Sequence, residues 1–136
     1  MDMQNQGSTP PTSSQDLSSN DRLFAALSYV FAPIVPIIVL VMEDTKNKHF
    51  PRYHAFQALG IAAGLIVGYI ALMFVFICAS IVSDALASLL GCVVSLAGLA
   101  VLGLEIYFAY NAYQGKYFEI PVVTDFMVKQ GWITRP

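Results

Sequence analysis

Residues 46–60 read KNKHFPRYHAFQALG. Both histidines of the chain, His49 and His54, fall here together with Lys46, Lys48 and Arg52, and the stretch stands between two long apolar runs. Each run is long enough to cross the hydrocarbon core of a bilayer, about 30 Å or roughly 20 helical residues. A polar knot between two such runs has to lie at a membrane surface. Lys46, Lys48 and Arg52 therefore read as interface cations that set orientation. Phe50, Pro51 and Tyr53 settle the chain at the headgroup level, and a membrane helix opens near Ala55.

The composition agrees. Of 136 residues, 57% are hydrophobic and 12% charged, with a mean hydropathy of +0.63, whereas soluble domains carry about 25% charged residues. A net charge of −2 excludes the clustered basic face that grips a phosphate backbone, so nucleic acid is not an expected partner. Cys78 and Cys92 both lie in apolar segments, where cysteine acts as a small hydrophobe, and they indicate no redox compartment.

On the amino-terminal side, residues 23–42 form the first uncharged run, and 20 residues at about 1.5 Å each span one hydrocarbon thickness. Asn20 and Asp21 are suitable helix caps. Pro33 and Pro36 interrupt the run and predict a kink near Ala32, because each removes a backbone donor and crowds the preceding turn. Residues 1–20 are polar and read as a disordered tail. They lack the basic start and apolar core of a secretory signal and the arginines of a transit peptide, which favours a prokaryotic plasma membrane.

On the carboxyl side, residues 55–82 form the second run. Its glycines Gly60, Gly64 and Gly68 recur every fourth residue and predict a helix-packing face that lets two backbones approach. Ser83 and Asp84 leave room only for a tight turn. The third run, uncharged over 85–104 and helical to about 110, therefore pairs antiparallel with the second. Ser88, Gly91, Ser95 and Gly98 give it a seam with alternating spacings of three and four. Seven residues beyond Gly98 that seam reaches Glu105, the one carboxylate inside a membrane run and by default a functional candidate. His54 and Gln57 occupy the same end of the hairpin, so an interhelical polar latch of His54, Gln57 and Glu105 is expected. A proton or ion relay through Glu105 is the alternative use of the same carboxylate.

The aromatics Tyr107, Phe108, Tyr110, Tyr113, Tyr117 and Phe118 read as a belt at the headgroup level. Within the interfacial tail, residues 119–136, Pro121 suits the start of a short helix and Gly131 its end. Basic residues set the topology: Lys46, Lys48 and Arg52 in the connector and Lys116, Lys129 and Arg135 in the tail outweigh Arg22 alone. Connector and carboxyl tail are thus expected in the cytoplasm, with the amino terminus outside. No catalytic, cofactor or metal site is predicted. His49 and His54 are five residues apart, not the four that place two ligands on one helix face, and no Cys or carboxylate cluster joins them.

The segments RLFAALSYVFAPIVP, HFPRYHAFQALG and NAYQGKYFEIPVVTDF resemble a family of small bacterial and archaeal membrane proteins of unknown function. That family is related to the twenty-kilodalton component of the chloroplast inner-envelope protein-import translocon. The likeness covers residues 22–128 and is most specific at Arg52, His54, Gln57 and Ala58, with support from residues 115–121. It implies an all-helical integral membrane protein connected with protein-conducting machinery. The import relatives have four spans, against three counted here.

The reading from sequence is thus an all-α integral membrane protein. A three-helix transmembrane domain occupies residues 21–118, with its first helix kinked and its second and third a tight hairpin, and a short interfacial helix follows. Its expected function is a non-enzymatic subunit or scaffold of a larger membrane complex, with lipids and other membrane subunits or further copies of itself as partners. The alternative is a component of a protein- or solute-conducting pathway.

Overall fold

The structure, a computed structural model, describes residues 17–135. Two long helices dominate it. Helix α3 runs His49–Val82 and α4 runs Asp84–Tyr113. Pro51 is tolerated as the third residue of α3 because the first-turn amides have no intrahelical acceptor in any case. Beyond it the run has no proline until the helix ends at Ser83. Ser83 alone links the two helices: its extended backbone breaks the helix while its amide still bonds the Ala79 carbonyl at 2.9 Å. The tight antiparallel hairpin expected from residues 83–84 is thus formed.

The first apolar run folds differently from the single kinked span expected over residues 23–42. It is divided into α1, Ser19–Val30, and α2, Ile34–Val41. Ser18 caps α1, its hydroxyl accepting from the Asp21 amide at 3.2 Å, so the cap lies before the expected Asn20 and Asp21. Pro33 stands immediately before α2 and Pro36 within its first turn. Together they start a new helix and do not merely bend the old one.

The new helix turns back. Lys48, just before α3, bonds Asp21 at the start of α1 at 2.8 Å, and Leu40 near the end of α2 borders the same recess as Lys46, Arg52 and Phe56. Both ends of residues 19–41 therefore lie beside the first turns of α3, and the break at 31–33 is the far corner of a helical hairpin. At 12 and 8 residues, or about 18 and 12 Å, neither helix matches a bilayer core. Only α3 and α4 among the described residues are long and apolar enough to cross a membrane. The expected single first span is thus a folded-back pair of short helices, and residue 18 lies at the same end as the connector, not opposite it.

After α4 the chain returns across this base end and forms α5, Val123–Lys129, against α3. Val122, at φ +71°, is the centre of a three-residue turn in which the Val123 amide bonds the Pro121 carbonyl at 2.8 Å. This is the rare and strained form of that turn. Gly131 closes the segment at φ +73°. Of the expected tail over residues 1–20, residues 1–16 lie outside the described residues. Residues 19–20 belong to α1.

The chain is thus a base of α1, α2, α5 and the loops, from which the α3–α4 hairpin projects. The core lies in the base, with Ala25, Tyr29, Phe50, Ala58, Ala109 and Ala112 as its apolar centre. The projecting part is uncovered: only 6% of the most apolar window of each long helix is buried inside the chain.

Candidate functional site

Inside the base the polar side chains converge on one buried cluster. Tyr29 on α1, Tyr53, His54 and Gln57 on the opening turns of α3, and Thr124 on α5 are each at most 2% exposed. The Tyr29 hydroxyl lies 2.9 Å from His54 Nδ1 and 3.0 Å from Gln57 Oε1. His54 Nε2 lies 3.1 Å from the Lys116 carbonyl. A carbonyl only accepts, so Nε2 carries the hydrogen, and Nδ1 of the uncharged ring is an acceptor. The single phenolic proton of Tyr29 is then shared between two acceptors.

The amide of Gln57 completes the knot. Its Nε2 donates to the Phe118 carbonyl at 3.1 Å and to Thr124 Oγ1 at 2.8 Å. Thr124 Oγ1 also accepts from the Ile120 amide at 2.8 Å, and Tyr53 donates to Phe118 O at 2.9 Å. One glutamine thereby ties α1, α3, α5 and the 116–120 loop together. That loop is irregular backbone, and its carbonyls are met from α3: Phe118 O by both Gln57 and Tyr53, and Lys116 O by His54, which spares them the cost of about 1–3 kcal/mol of an unsatisfied buried group.

Aromatic rings enclose the cluster. Phe50 stands edge-on to His54 at 4.6 Å, Phe118 lies 5.1 Å from His54, and Phe108 stacks on Phe118 at 5.3 Å. The expected carboxyl-side aromatic belt is therefore divided. Phe108, Tyr117 and Phe118 pack against the core, while Tyr107, Tyr110 and Tyr113 are exposed. Burial pushes the Tyr117 pKa above that of an ordinary phenol, with Tyr53 adding to the shift, so it stays neutral beside His49 Nδ1, 2.8 Å away. His49 Nε2 in turn lies 2.8 Å from Thr134 Oγ1.

Exposed charge pairs lie at the surface of the base. Arg135 forks onto Glu119 at 2.7 Å and onto Asp125, and these two carboxylates raise its pKa further, Asp125 foremost. Lys46 pairs with Glu43 at 3.7 Å.

His54 and Gln57 thus sit together in a buried latch, but their bonds run to Tyr29, Thr124 and backbone carbonyls. Glu105 makes no hydrogen bond or ion pair among the described residues. The latch closes without it because Tyr29 on the folded-back α1 and Thr124 on α5 supply the partners. Tyr29 and Thr124 were not legible as members, since a tyrosine in an apolar run and a threonine in a polar tail are ordinary residues in those places.

The glycine face also divides. A Cβ on Gly60 would meet Val123 Cγ1 at 2.7 Å and Met127 Cε at 2.8 Å, so Gly60 seats α5, whereas a Cβ on Gly64 or Gly68 meets nothing within 4 Å. Cys78 and Cys92 are free and exposed. Among the described residues no three His, Cys, Asp or Glu side chains gather as a metal site.

Residues 20–127, which carry the hairpin and every member of the buried cluster, match the magnetosome magnetite crystal formation protein family. The chain belongs to that family. It is 32% identical over 110 residues to a UPF0132 membrane protein of Archaeoglobus fulgidus, covering 81% of this chain and 94% of the relative. It is 31% identical over 110 residues to a UPF0132 membrane protein of Methanocaldococcus jannaschii, covering 80% of this chain and 86% of the relative. No solved structure matches. The magnetosome family assignment and the two membrane-protein relatives agree with the apolar α3–α4 hairpin in making this a helical membrane protein.

Proposed function

We propose that this chain is a non-enzymatic subunit of a membrane assembly, in which the α3–α4 hairpin docks other helices and the base anchors it at the surface. The observation that carries the reading is the open space at Gly64, Gly68 and Gly98, where an added Cβ has no neighbour within 4 Å. Small faces of this kind drive helix association in lipid, and the helices of the described residues leave these unused. The partners are other membrane subunits or further copies of the chain. The two membrane-protein relatives support a membrane component, and the family's description, magnetosome magnetite crystal formation, supports a part in building a larger structure. All seven Lys and Arg residues lie at the base, which favours a cytoplasmic base in the plasma membrane.

Gly68→Leu is expected to weaken association about tenfold or more, equivalent to roughly 1.4 kcal/mol of lost packing, when complex mass and crosslinking are followed in mild detergent. Melting of the base should not change. Glu105, a carboxylate in an apolar helix with no hydrogen-bond or ion-pair partner among the described residues, favours a second reading as part of a conducting pathway, in keeping with the resemblance to import machinery. Association unchanged by Gly68→Leu, with a reconstituted flux that falls on Glu105→Gln, would replace the subunit reading by that one.

A further inference from the structure

A groove of about 690 Å³ runs between α3 and α5, walled by Phe56, Gly60, Ala63, Val123, Phe126 and Trp132. Its size lies within the ~300–1,000 Å³ of pockets that hold a small molecule. At its base end it meets a polar recess of about 190 Å³ that includes Asn47, His49, Arg52 and Thr134, and Trp132 lines both. The wall is continuous from one to the other. The Arg52 guanidinium lies over the Phe56 ring at 5.4 Å, Phe56 stacks on Trp132 at 6.0 Å, and Trp132 stands edge-on to Phe126 at 5.9 Å.

Arg52 is exposed, and the ion pairs made by Lys46, Lys48 and Arg135 do not engage it. One cation without a carboxylate therefore stands at the mouth of an apolar slot, beside a tryptophan of the kind that marks the headgroup level. A free phosphate would satisfy the cation and leave the slot empty. An apolar helix would fill the slot and leave the cation unmatched.

We propose that this site binds an anionic phospholipid, with its phosphate at Arg52 and one acyl chain along the α3–α5 groove. The ligand comes from the leaflet facing the base. The site distinguishes it from a zwitterionic lipid by charge, through Arg52, and orders its chain by shape, through Gly60 and Ala63.

Trp132 is the chain's single tryptophan, so its fluorescence reports this site alone. The full chain is reconstituted in phosphatidylcholine vesicles containing a rising fraction of acyl-brominated phosphatidylglycerol or acyl-brominated phosphatidylcholine. Half-maximal quenching is expected at about fivefold lower mole fraction of the anionic lipid, the scale of one basic residue at an anionic surface. Arg52→Gln should abolish the preference and Arg52→Lys should keep it, which separates loss of charge from loss of fold. Ala63→Phe should reduce quenching by both lipids at unchanged helix content. Equal half-points in the unmodified chain, or a preference that survives Arg52→Gln, would overturn the proposal. So would quenching that depends on protein density and not on lipid identity, which would place a second copy in the groove.

Discussion

Tyr29→Phe is expected to lower stability by about 3 kcal/mol, because removing one buried oxygen strands two acceptors at about 1–3 kcal/mol each. Those acceptors are His54 Nδ1 and Gln57 Oε1, at 2.9 and 3.0 Å from the hydroxyl. The ring itself stays, so its contacts with Phe108 and Phe118 are retained and the loss reports the polar knot. Gln57→Leu should cost a similar amount by breaking bonds to Tyr29, Phe118 and Thr124. The double variant should lose less than the sum of the two by about 1 kcal/mol or more, since contacting residues in one network couple on that scale. Tyr107, 60% exposed, supplies the control, and Tyr107→Phe should stay within about 0.5 kcal/mol of the parent. Reversible unfolding in mixed micelles measures all four. A Tyr29→Phe variant as stable as the Tyr107→Phe control would mean that the base is not held by this knot.

Gly60 and Gly64 give the second large contrast. They lie four residues apart in α3, and alanine is favoured over glycine in a helix interior by about 1 kcal/mol. Gly64→Ala should therefore be neutral or gain up to that amount, because its Cβ enters open space. Gly60→Ala should instead lose about 1–2 kcal/mol net, since overpacking costs roughly 1–3 kcal/mol. Its Cβ would sit 2.7 Å from Val123 Cγ1, on a stiff β-branched side chain, as well as 2.8 Å from the more flexible Met127 Cε. Displacement of α5 would also move Trp132 off Phe56, so a shift in tryptophan emission should accompany the loss in Gly60→Ala and be absent in Gly64→Ala. Equal effects at the two glycines would contradict the seating of α5 on α3.

What was legible in the sequence was local. Two uncharged runs, residues 55–82 and 85–104, with only Ser83 and Asp84 between them leave room for nothing but a hairpin, although α3 already begins at His49 and not near Ala55 as expected. His54 and Gln57 stood out because a histidine and a glutamine at the head of an apolar helix have to find partners. Their partners were not legible, because they depend on where residues 19–41 go. Pro33 and Pro36 mark a break, but a kink that continues across the membrane and a turn that comes back leave the same trace in sequence. Contacts between elements decide between them, through Asp21 with Lys48 and through Leu40 beside Arg52. The same fold-back brings Tyr29 to Gln57 and leaves Glu105 out of the latch.

The fold-back also changes the topology that basic residues imply. With residues 23–42 as a span, Arg22 counts against the cations of the connector and tail, whereas with a returning hairpin it joins them. Accessibility from each side of the membrane tests this most directly. Ser18, Ser83 and Gln130 are exposed, and each is replaced singly by cysteine in a chain carrying Cys78→Ala and Cys92→Ala. Labelling with a membrane-impermeant maleimide is then compared between right-side-out and inverted vesicles. Ser18→Cys and Gln130→Cys should react from the same side and Ser83→Cys from the other. Reaction of Ser18→Cys from the same side as Ser83→Cys would show that the first run crosses the membrane and would contradict the fold described here.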